Sequence, residues 1–188
     1  MADTQADDLQ HAIHWYALRC QVPPEGVRKR FPTLQSCRER LIAVRWPSGI
    51  FCPRCQAGDP VHLTTRAQYQ CRSCRFQFSP TTATALHRSR IEVPIWFAAA
   101  ERIIHYQNMG SATGMVPAHD LAAAMGVAYV AARRLRKIII EDLGPDGRGL
   151  LRAAICTEEV ILPPHVFLGT ERHLGWLIDL YYNRDSLS

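Results

Sequence analysis

The sequence lacks the features that would place it in a membrane or outside the cell. No apolar run approaches the roughly 20 residues that are needed to cross a bilayer. The first ten residues contain three aspartates and no apolar stretch, which is unlike a secretory signal peptide. The cysteines are odd in number, seven, which in a reducing compartment argues against a disulfide framework. These absences predict a cytoplasmic protein with no membrane partner.

Length and composition indicate a folded, basic protein. Of the 188 residues, 47% are hydrophobic and 21% are charged, which excludes a disordered polar chain and a fibre. The length suits one medium domain or two or three small modules. The formal charge of +5 and the pI near 9.0 are compatible with nucleic-acid binding.

Four of the seven cysteines have the spacing of a metal site. They form two C-x2-C pairs, Cys52–Cys55 and Cys71–Cys74, with 15 residues between the pairs. Each pair turns the backbone so that two thiolates point at one centre, and two pairs joined by a hairpin complete a tetrahedron of sulfurs. The spacing predicts one structural Zn²⁺ ligated by Cys52, Cys55, Cys71 and Cys74. The alternatives are chance spacing and a thioredoxin-like redox site, and both fit a spaced double pair less well.

The residues around the two pairs predict a small β ribbon. Residues 61–64 and 67–70 have the composition of strands. Phe76 and Phe78 alternate with Gln77, as on a third strand with one apolar face. Because the segment has few apolar residues, metal binding should supply most of its folding free energy, on the order of 10 kcal/mol. The remaining cysteines are interpreted as small buried residues: Cys20, Cys37 and Cys156.

Positive charge is concentrated on the ribbon segment and just after it. Residues 51–92 hold six basic and two acidic side chains, whereas residues 150–188 hold three basic and five acidic ones. The six bases are all arginines, whose planar guanidinium suits phosphate and base-edge contacts better than lysine does. A solvated surface is the alternative interpretation. The predicted DNA contacts in this segment are Arg54, Arg66, Arg72, Arg75, Arg88 and Arg90.

The middle of the chain predicts a helix-turn-helix. A first helix covers residues 93–108, a second covers 118–125 and is followed by Gly126, and a third covers 128–142. In this layout the third helix enters the major groove of DNA. The alternative is a helical bundle with a basic outer face.

The third helix supplies a second set of candidate DNA contacts. Val130, Leu135, Ile138 and Ile139 are predicted to face inward, which leaves the basic side chains on the outside. Residues early in this helix should meet bases, and later ones should meet phosphates. The first group is Ala128, Tyr129, Arg133 and Arg134, and the second is Arg136 and Lys137.

Further helices are predicted before the ribbon. One covers residues 7–20, ahead of two prolines that stop it. Another covers residues 37–45, and Ser36 with Glu39 forms a possible capping box at its start. This second helix is expected to pack on the ribbon.

The last part of the chain predicts one clear helix. Residues 153–162 are a strand or a short helix, and residues 170–183 form a helix with Thr170 as its cap. The apolar stripe of this helix must be buried. It packs either on the helix-turn-helix or on a second copy of the chain in a homodimer.

Together the segments predict a mainly α protein with a small β zinc ribbon, built from several modules. The expected modules are an N-terminal helical extension, a zinc ribbon with its preceding helix, a helix-turn-helix, and a C-terminal tail for dimerisation or docking of a protein partner. Their predicted bounds are residues 1–35, 36–92, 93–149 and 150–188.

These motifs resemble those of a known family of transposases. The family consists of insertion-sequence enzymes that begin with a zinc ribbon, continue through a helix-turn-helix and end in an RNase H-like nuclease with a DDE-type carboxylate triad. The resemblance covers about 113 of the 188 residues, from Phe31 to Leu143. It is carried by Cys37, Leu41, Arg45–Gly49, Cys52–Cys55, Tyr69–Cys74, Phe78-Ser79, Leu86–Arg90, Trp96-Phe97 and Leu121–Val127. It implies double-stranded DNA as the partner.

The resemblance does not extend to the catalytic part of the family. The nuclease would follow the helix-turn-helix, but 45 residues follow Leu143 here. An RNase H-like domain needs on the order of 100 residues to bury its sheet between helices. The expectation is therefore a protein without catalytic residues and without transposase activity.

The leading hypothesis is a transposase-derived, catalytically inactive and sequence-specific DNA-binding protein. It would be nucleoid-associated and act as a transcriptional regulator. One alternative is a zinc-ribbon interaction module that docks on the transcription machinery or on another protein. Others are an accessory factor that binds transposon ends and a remnant nuclease.

Overall fold

The computed structural model describes residues 2–64, 68–107 and 115–184. Within them the chain forms helices and one small sheet, which confirms the mainly α fold class with a β ribbon. The helices are α1 (Ala2–Gln21), α2 (Val27–Arg30), α3 (Leu34–Arg45), α4 (Val93–Tyr106), α5 (Ala118–Met125), α6 (Tyr129–Leu143), α7 (Leu150–Ile155) and α8 (Glu171–Asn183). The strands are β1 (Val61–Leu63), β2 (Gln68–Gln70) and β3 (Gln77–Phe78).

Helix α4 is the centre of the helical body. It has a proline in its first turn and buries large side chains on several sides, among them Trp96, Phe97, Ile103 and Ile104. A helix that is apolar on most sides must be covered on most sides. Helices α1, α2, α3, α5, α6 and α7 all contact it.

The main hydrophobic core extends beyond the three central helices. Trp15 and Leu18 of α1, Leu41 of α3 and Leu151 of α7 are buried in the same cluster as the residues of α4. The division of the chain into four modules stays a prediction, and buried contacts cross each of its boundaries.

The C-terminal helix packs on the N-terminal one. Leu177 of α8 is buried in a small cluster with Ile13 and Cys20 of α1, and its carbonyl accepts the Cys20 thiol at 3.4 Å. Thr170 caps α8 as predicted, since its side chain accepts the N–H of His173. The apolar stripe of α8 was expected on the helix-turn-helix or on a second copy, and α1 covers it instead.

Helix α3 begins three residues earlier than predicted and has a different cap. Thr33 Oγ1 accepts the Ser36 N–H at 3.0 Å, and Ser36 Oγ accepts the Thr33 N–H at 3.1 Å. These reciprocal bonds form a capping box, so the predicted pair of Ser36 with Glu39 was wrong. Glu39 instead accepts the side-chain amide of Gln35 at 2.8 Å.

Two other predicted bounds shift. The N-terminal helix, predicted over 7–20, runs from Ala2 to Gln21. The segment predicted over 153–162 contains only the end of the short helix α7, which stops at Ile155.

The strands form an antiparallel sheet in the order β1-β2-β3. Val61 lies opposite Gln70, and Tyr69 lies opposite Phe78. Tyr69 and Phe78 are buried in a second, smaller core together with Trp46, which ends helix α3. The Trp46 ring is in edge-to-face contact with both, at centroid distances of 6.1 and 5.9 Å. The ribbon is therefore attached to the helical body through the end of α3.

Arg45 strengthens this attachment. Its guanidinium lies 4.5 Å from the centre of the Trp46 ring, and its Nη1 donates to the Pro80 carbonyl at 2.7 Å. The end of α3 is thus bound to the chain that leaves the ribbon as well as to the ribbon itself. This agrees with the expectation that the helix before the ribbon packs on it.

Candidate zinc centre and nucleic-acid interface

The four predicted zinc ligands lie together. The Sγ atoms of Cys52, Cys55, Cys71 and Cys74 are all within 4.8 Å of one another. Across the two pairs, Cys52 Sγ is 3.7 Å from Cys74 Sγ and Cys55 Sγ is 3.5 Å from Cys71 Sγ. Zinc–sulfur bonds of about 2.3 Å in a tetrahedron require sulfurs about 3.8 Å apart. The cluster fits one structural Zn²⁺, and its four sulfurs leave no coordination position open for chemistry.

The two C-x2-C turns have the same backbone geometry. Gln56 N–H donates to the Cys52 carbonyl at 2.9 Å, and Arg75 N–H donates to the Cys71 carbonyl at 3.1 Å. Gln56 and Arg75 also share a left-handed backbone, with φ of 62° and 60°. Because the turn is repeated, each pair presents its two sulfurs to the metal in the same way.

Backbone N–H groups point at the sulfurs. Arg54 N–H donates to Cys52 Sγ at 3.4 Å, and Cys74 N–H donates to Cys71 Sγ at 3.5 Å. Donation from Cys74 lowers the pKa of the Cys71 thiol to about 6, whereas hydrogen bonds with the neighbouring sulfurs raise the pKa of Cys55 to about 12 in the absence of metal. The bonds from backbone N–H groups favour the thiolate, which is the form that ligates zinc.

The other three cysteines have the opposite environment. Burial raises the pKa of Cys20 and Cys37 to about 11 and that of Cys156 to about 12. They remain thiols at neutral pH because charge is disfavoured away from water. The structure confirms that they pack as apolar residues, fully buried at Cys20 and Cys37 and partly buried at Cys156.

Helices α4, α5 and α6 pack against one another as a three-helix unit. Gly126 ends α5 in the left-handed conformation, with φ 65° and ψ 33°, as predicted for this turn. Ala132, Leu135 and Ile139 form the buried face of α6. This packing is compatible with the predicted helix-turn-helix.

Val130 does not face inward as predicted, because it is 78% exposed. It precedes the buried Ala132 by two residues, which is a rotation of about 200° around a helix. Val130 therefore lies on the face of α6 opposite to the core. Tyr129 beside it is 53% exposed.

A groove of about 450 Å³ lies between the first turns of α6 and residues 85–91. Arg88 and Arg90, which follow the ribbon, line it together with Arg134 of α6. Trp96 and Leu135 supply apolar lining. Two sets of arginines that were predicted separately thus meet at one groove, which we call the α6 groove.

Three other predicted arginines lie exposed on the C-x2-C turns. The Arg54 guanidinium is 5.8 Å from the centre of the Phe76 ring. Arg72 pairs with the Asp59 carboxylate at 3.5 Å. Its Nε also donates to the backbone carbonyl of Asp59 at 3.2 Å. Arg75 carries its side chain on the left-handed backbone described above.

The remaining candidates differ in their surroundings. Arg133 is exposed on α6, and Lys137 lies 3.8 Å from Glu141 on the same helix. Arg136 Nη1 donates to the Val116 carbonyl at 2.9 Å. Arg136 therefore joins α6 to the chain before α5, and its contact with phosphate stays a prediction. Arg66 lies outside the described residues.

Sequence reasoning missed Arg38. This residue of α3 lines a polar cavity of about 270 Å³ together with Arg90, Ser79 and Thr81. No spacing signal marks it, because α3 was predicted from its possible capping box alone. The fold brings it beside the segment that joins the ribbon to α4.

Two further properties of the described residues concern metal binding and membranes. Within residues 2–64, 68–107 and 115–184, the four cysteines are the one group of three or more metal-ligating side chains that lie close enough to share an ion. No helix in this described part of the chain is long and apolar enough to cross a membrane.

Comparison with known proteins agrees with the resemblance seen in the motifs. Residues 32–77 match the family described as a transposase zinc-ribbon domain. A stretch of 74 residues is 27% identical to a protein named "Uncharacterized protein in transposable element ISH50" from Halobacterium salinarum. That stretch is 38% of this chain and 25% of the relative, so the chain spans about a quarter of the relative's length. No solved structure matches the chain. The family match covers α3 and the ribbon and includes no catalytic domain.

Proposed function

We propose that this protein binds double-stranded DNA sequence-specifically, as a transcriptional regulator derived from a transposase. The observation that carries the proposal is the α6 groove, where Arg88, Arg90 and Arg134 come together from the ribbon segment and the helix-turn-helix. Arg88 and Arg90 on one side of the groove suit a phosphate backbone, and Arg134 on the side of α6 suits a base edge. The match of residues 32–77 to transposase zinc ribbons supports the same class of partner.

In this proposal the two modules have different tasks. Helix α6 lies in the major groove, where Arg133 and Arg134 reach base edges and Lys137 reaches phosphate. The zinc ribbon holds the backbone through Arg54, Arg72 and Arg75. Arg136 keeps α5 and α6 together through Val116 and orients the reading helix.

Substitution of Arg134 tests the reading surface. Arg134→Ala should weaken binding to the preferred site by roughly 5- to 150-fold, because a base-edge contact is worth about 1–3 kcal/mol. Competition binding against random DNA is the measurement. Arg172→Ala, at an exposed arginine of α8, is the matched control and should leave affinity unchanged. Equal, weak binding to all sequences by the wild type would refute the proposal.

The repeated turns of the ribbon offer a matched pair of variants. Arg75→Gly and Gln56→Gly relieve the same left-handed backbone, at exposed positions of equivalent turns. Removal of this backbone strain stabilises the folded state by about 1 kcal/mol, and this offsets the larger conformational entropy that glycine has in the unfolded chain. Neither variant should therefore lose stability. Arg75→Gly should lower the slope of log affinity against log salt by about 0.9, the value for one phosphate contact. Gln56→Gly should keep the wild-type slope, and equal slopes for all three proteins would exclude a phosphate contact at Arg75.

We also propose that this chain acts on DNA without cutting it. A zinc ion held by four cysteines has no open position for a substrate or water. Cleavage of labelled duplex by the purified protein with Mg²⁺ or Mn²⁺ would contradict the proposal. Competition with a transposase for transposon ends is a version of the same DNA-binding role, since the relative is named for a transposable element.

A homodimer or a protein partner is a second proposal, for the C-terminal part of the chain. The observation that favours it is the segment between α7 and α8, where Ile161, Phe167 and Leu168 are 74%, 68% and 77% exposed. Apolar side chains exposed in one segment are a common feature of interaction sites. Sedimentation of the wild type and of an Ile161→Ala, Phe167→Ala, Leu168→Ala triple variant would detect the dimer.

A further inference from the structure

The first turn of α6 is poorly suited to a solvent-facing helix start. Its N-cap is Ala128, which makes no side-chain hydrogen bond to the turn, and no acidic residue lies in the turn. Serine, threonine, aspartate or asparagine at that position would accept an N–H of the turn and stabilise the helix. The next two residues, Tyr129 and Val130, are aromatic and β-branched, and both are exposed. The stability of the turn therefore does not account for an alanine cap followed by two exposed apolar side chains.

The surroundings of this turn restrict what can cover it. Val130 and Ala128 line the α6 groove together with Arg88, Arg90 and Arg134. Guanidinium groups beside an exposed aliphatic side chain favour a partner that is anionic yet presents a small apolar group. In duplex DNA the sugar-phosphate backbone supplies the anion, and the major groove offers an apolar group on its base edges: the 5-methyl of a pyrimidine.

We propose that Val130 recognises a pyrimidine 5-methyl group in the major groove. The proposal rests on the DNA-binding function above and names one feature of the sequence that is read. Thymine carries this methyl in every duplex, and 5-methylcytosine carries it in modified DNA. Arg88 and Arg90 hold the backbone and Arg134 reaches a base edge, so the valine beside them on α6 lies against base edges.

The test uses the full-length, zinc-loaded chain and duplexes built on its preferred site, identified by selection from random DNA. Each thymine is replaced in turn by deoxyuridine, which removes the methyl and keeps the pairing and the O4 acceptor. Each cytosine is replaced in turn by 5-methylcytosine. Burial of one methyl corresponds to about a fourfold change in affinity. The expected result is a loss of about fourfold at one thymine, or a gain of the same size at one cytosine.

The variant Val130→Ala tests whether the methyl effect depends on the side chain of Val130. It should bind the methylated site about fourfold more weakly than the wild type and should not distinguish the methylated from the unmethylated base. Alanine is a better helix former than valine, so the variant should fold, and circular dichroism verifies this. Val61→Ala removes an exposed aliphatic side chain of β1, to which no binding role is assigned, and should retain the methyl effect.

Three outcomes would overturn the proposal. The first is sequence-preferring binding with no methyl effect at any position, which refutes the role of Val130 and leaves the DNA-binding function in place. The second is a methyl effect of equal size in wild type and Val130→Ala, which assigns the methyl contact to another residue. The third is binding without sequence preference, which refutes the proposed function together with this inference.

Discussion

Replacement of Cys71 by serine is expected to unfold the zinc ribbon while the helical body stays folded. The ribbon core is small, with Trp46, Cys52, Tyr69, Cys71 and Phe78 as its buried residues, and two of these are ligands. Structural zinc sites contribute on the order of 10 kcal/mol at neutral pH, which such a core cannot replace. The main core around α4 contains none of the four ligands, so it should survive.

The measurement combines metal content with amide hydrogen exchange. The wild type should contain one zinc per chain, and Cys71→Ser should contain none and lose amide protection in β1, β2 and β3. Cys156→Ala is the control, since Cys156 is a cysteine outside the cluster, and it should retain its zinc. A strong chelator should give wild-type protein the exchange pattern of Cys71→Ser. Retention of one zinc and of protected strands by Cys71→Ser would exclude the four-cysteine site.

Replacement of Trp46 by alanine is expected to detach the ribbon without removing its metal. Trp46 is 4% exposed, and its ring is in edge contact with the rings of Phe51, Tyr69 and Phe78. Loss of a buried tryptophan costs about 3–5 kcal/mol. None of the zinc ligands is altered, so the four sulfurs should still bind the ion. The variant therefore separates ribbon attachment from ribbon folding.

Thermal unfolding, metal content and limited proteolysis check this prediction. Trp46→Ala should keep one zinc per chain, melt at a lower temperature and be cleaved faster at residues 47–49, which are exposed next to the lost ring. Trp46→Phe retains an aromatic ring against Tyr69 and Phe78, so its melting temperature should lie between those of the wild type and of Trp46→Ala. An unchanged melting temperature for Trp46→Ala would show that the ribbon is held by other contacts, with Arg45 as the first candidate.

The two variants should also differ in DNA binding. Both remove the defined position of Arg54, Arg72 and Arg75 relative to α6. Cys71→Ser additionally disorders the turns that carry these arginines, whereas Trp46→Ala leaves them as a tethered module. A tethered module contributes through its effective concentration, so Trp46→Ala should lose less affinity for DNA than Cys71→Ser does.

Local signals in the sequence were sufficient for the metal site and for several elements. The C-x2-C spacing predicted all four sulfurs, because each pair forms its turn from neighbouring backbone. Helix α5 was predicted with its observed bounds, and the turn at Gly126 was predicted because glycine adopts a left-handed backbone at low cost. The cap of α8 at Thr170 was likewise predictable from its own segment.

Apart from the cap of α3, the errors concern which side of an element is buried and which neighbour covers it. Val130 was assigned to the core because valine is apolar, but the packing of Ala132 and Leu135 on α4 turns it outward. The apolar stripe of α8 was recognised, but its cover, α1, is more than 150 residues away along the chain. The bond from Arg136 to the carbonyl of Val116 was not foreseen. Periodicity shows that a face is apolar and does not identify the neighbour that covers it.

The sequence alone determined the chemistry of this protein: four thiolates at zinc spacing, an excess of arginine on one segment and a glycine turn between two short helices. These properties depend on residues within a few positions of one another, and local geometry is sufficient for them. Only the tertiary structure decided that Arg88 and Arg90 share a groove with Arg134, that Trp46 joins the ribbon to α3, and that Val130 is exposed. These arrangements depend on packing between distant segments, which is selected by the fit of whole surfaces.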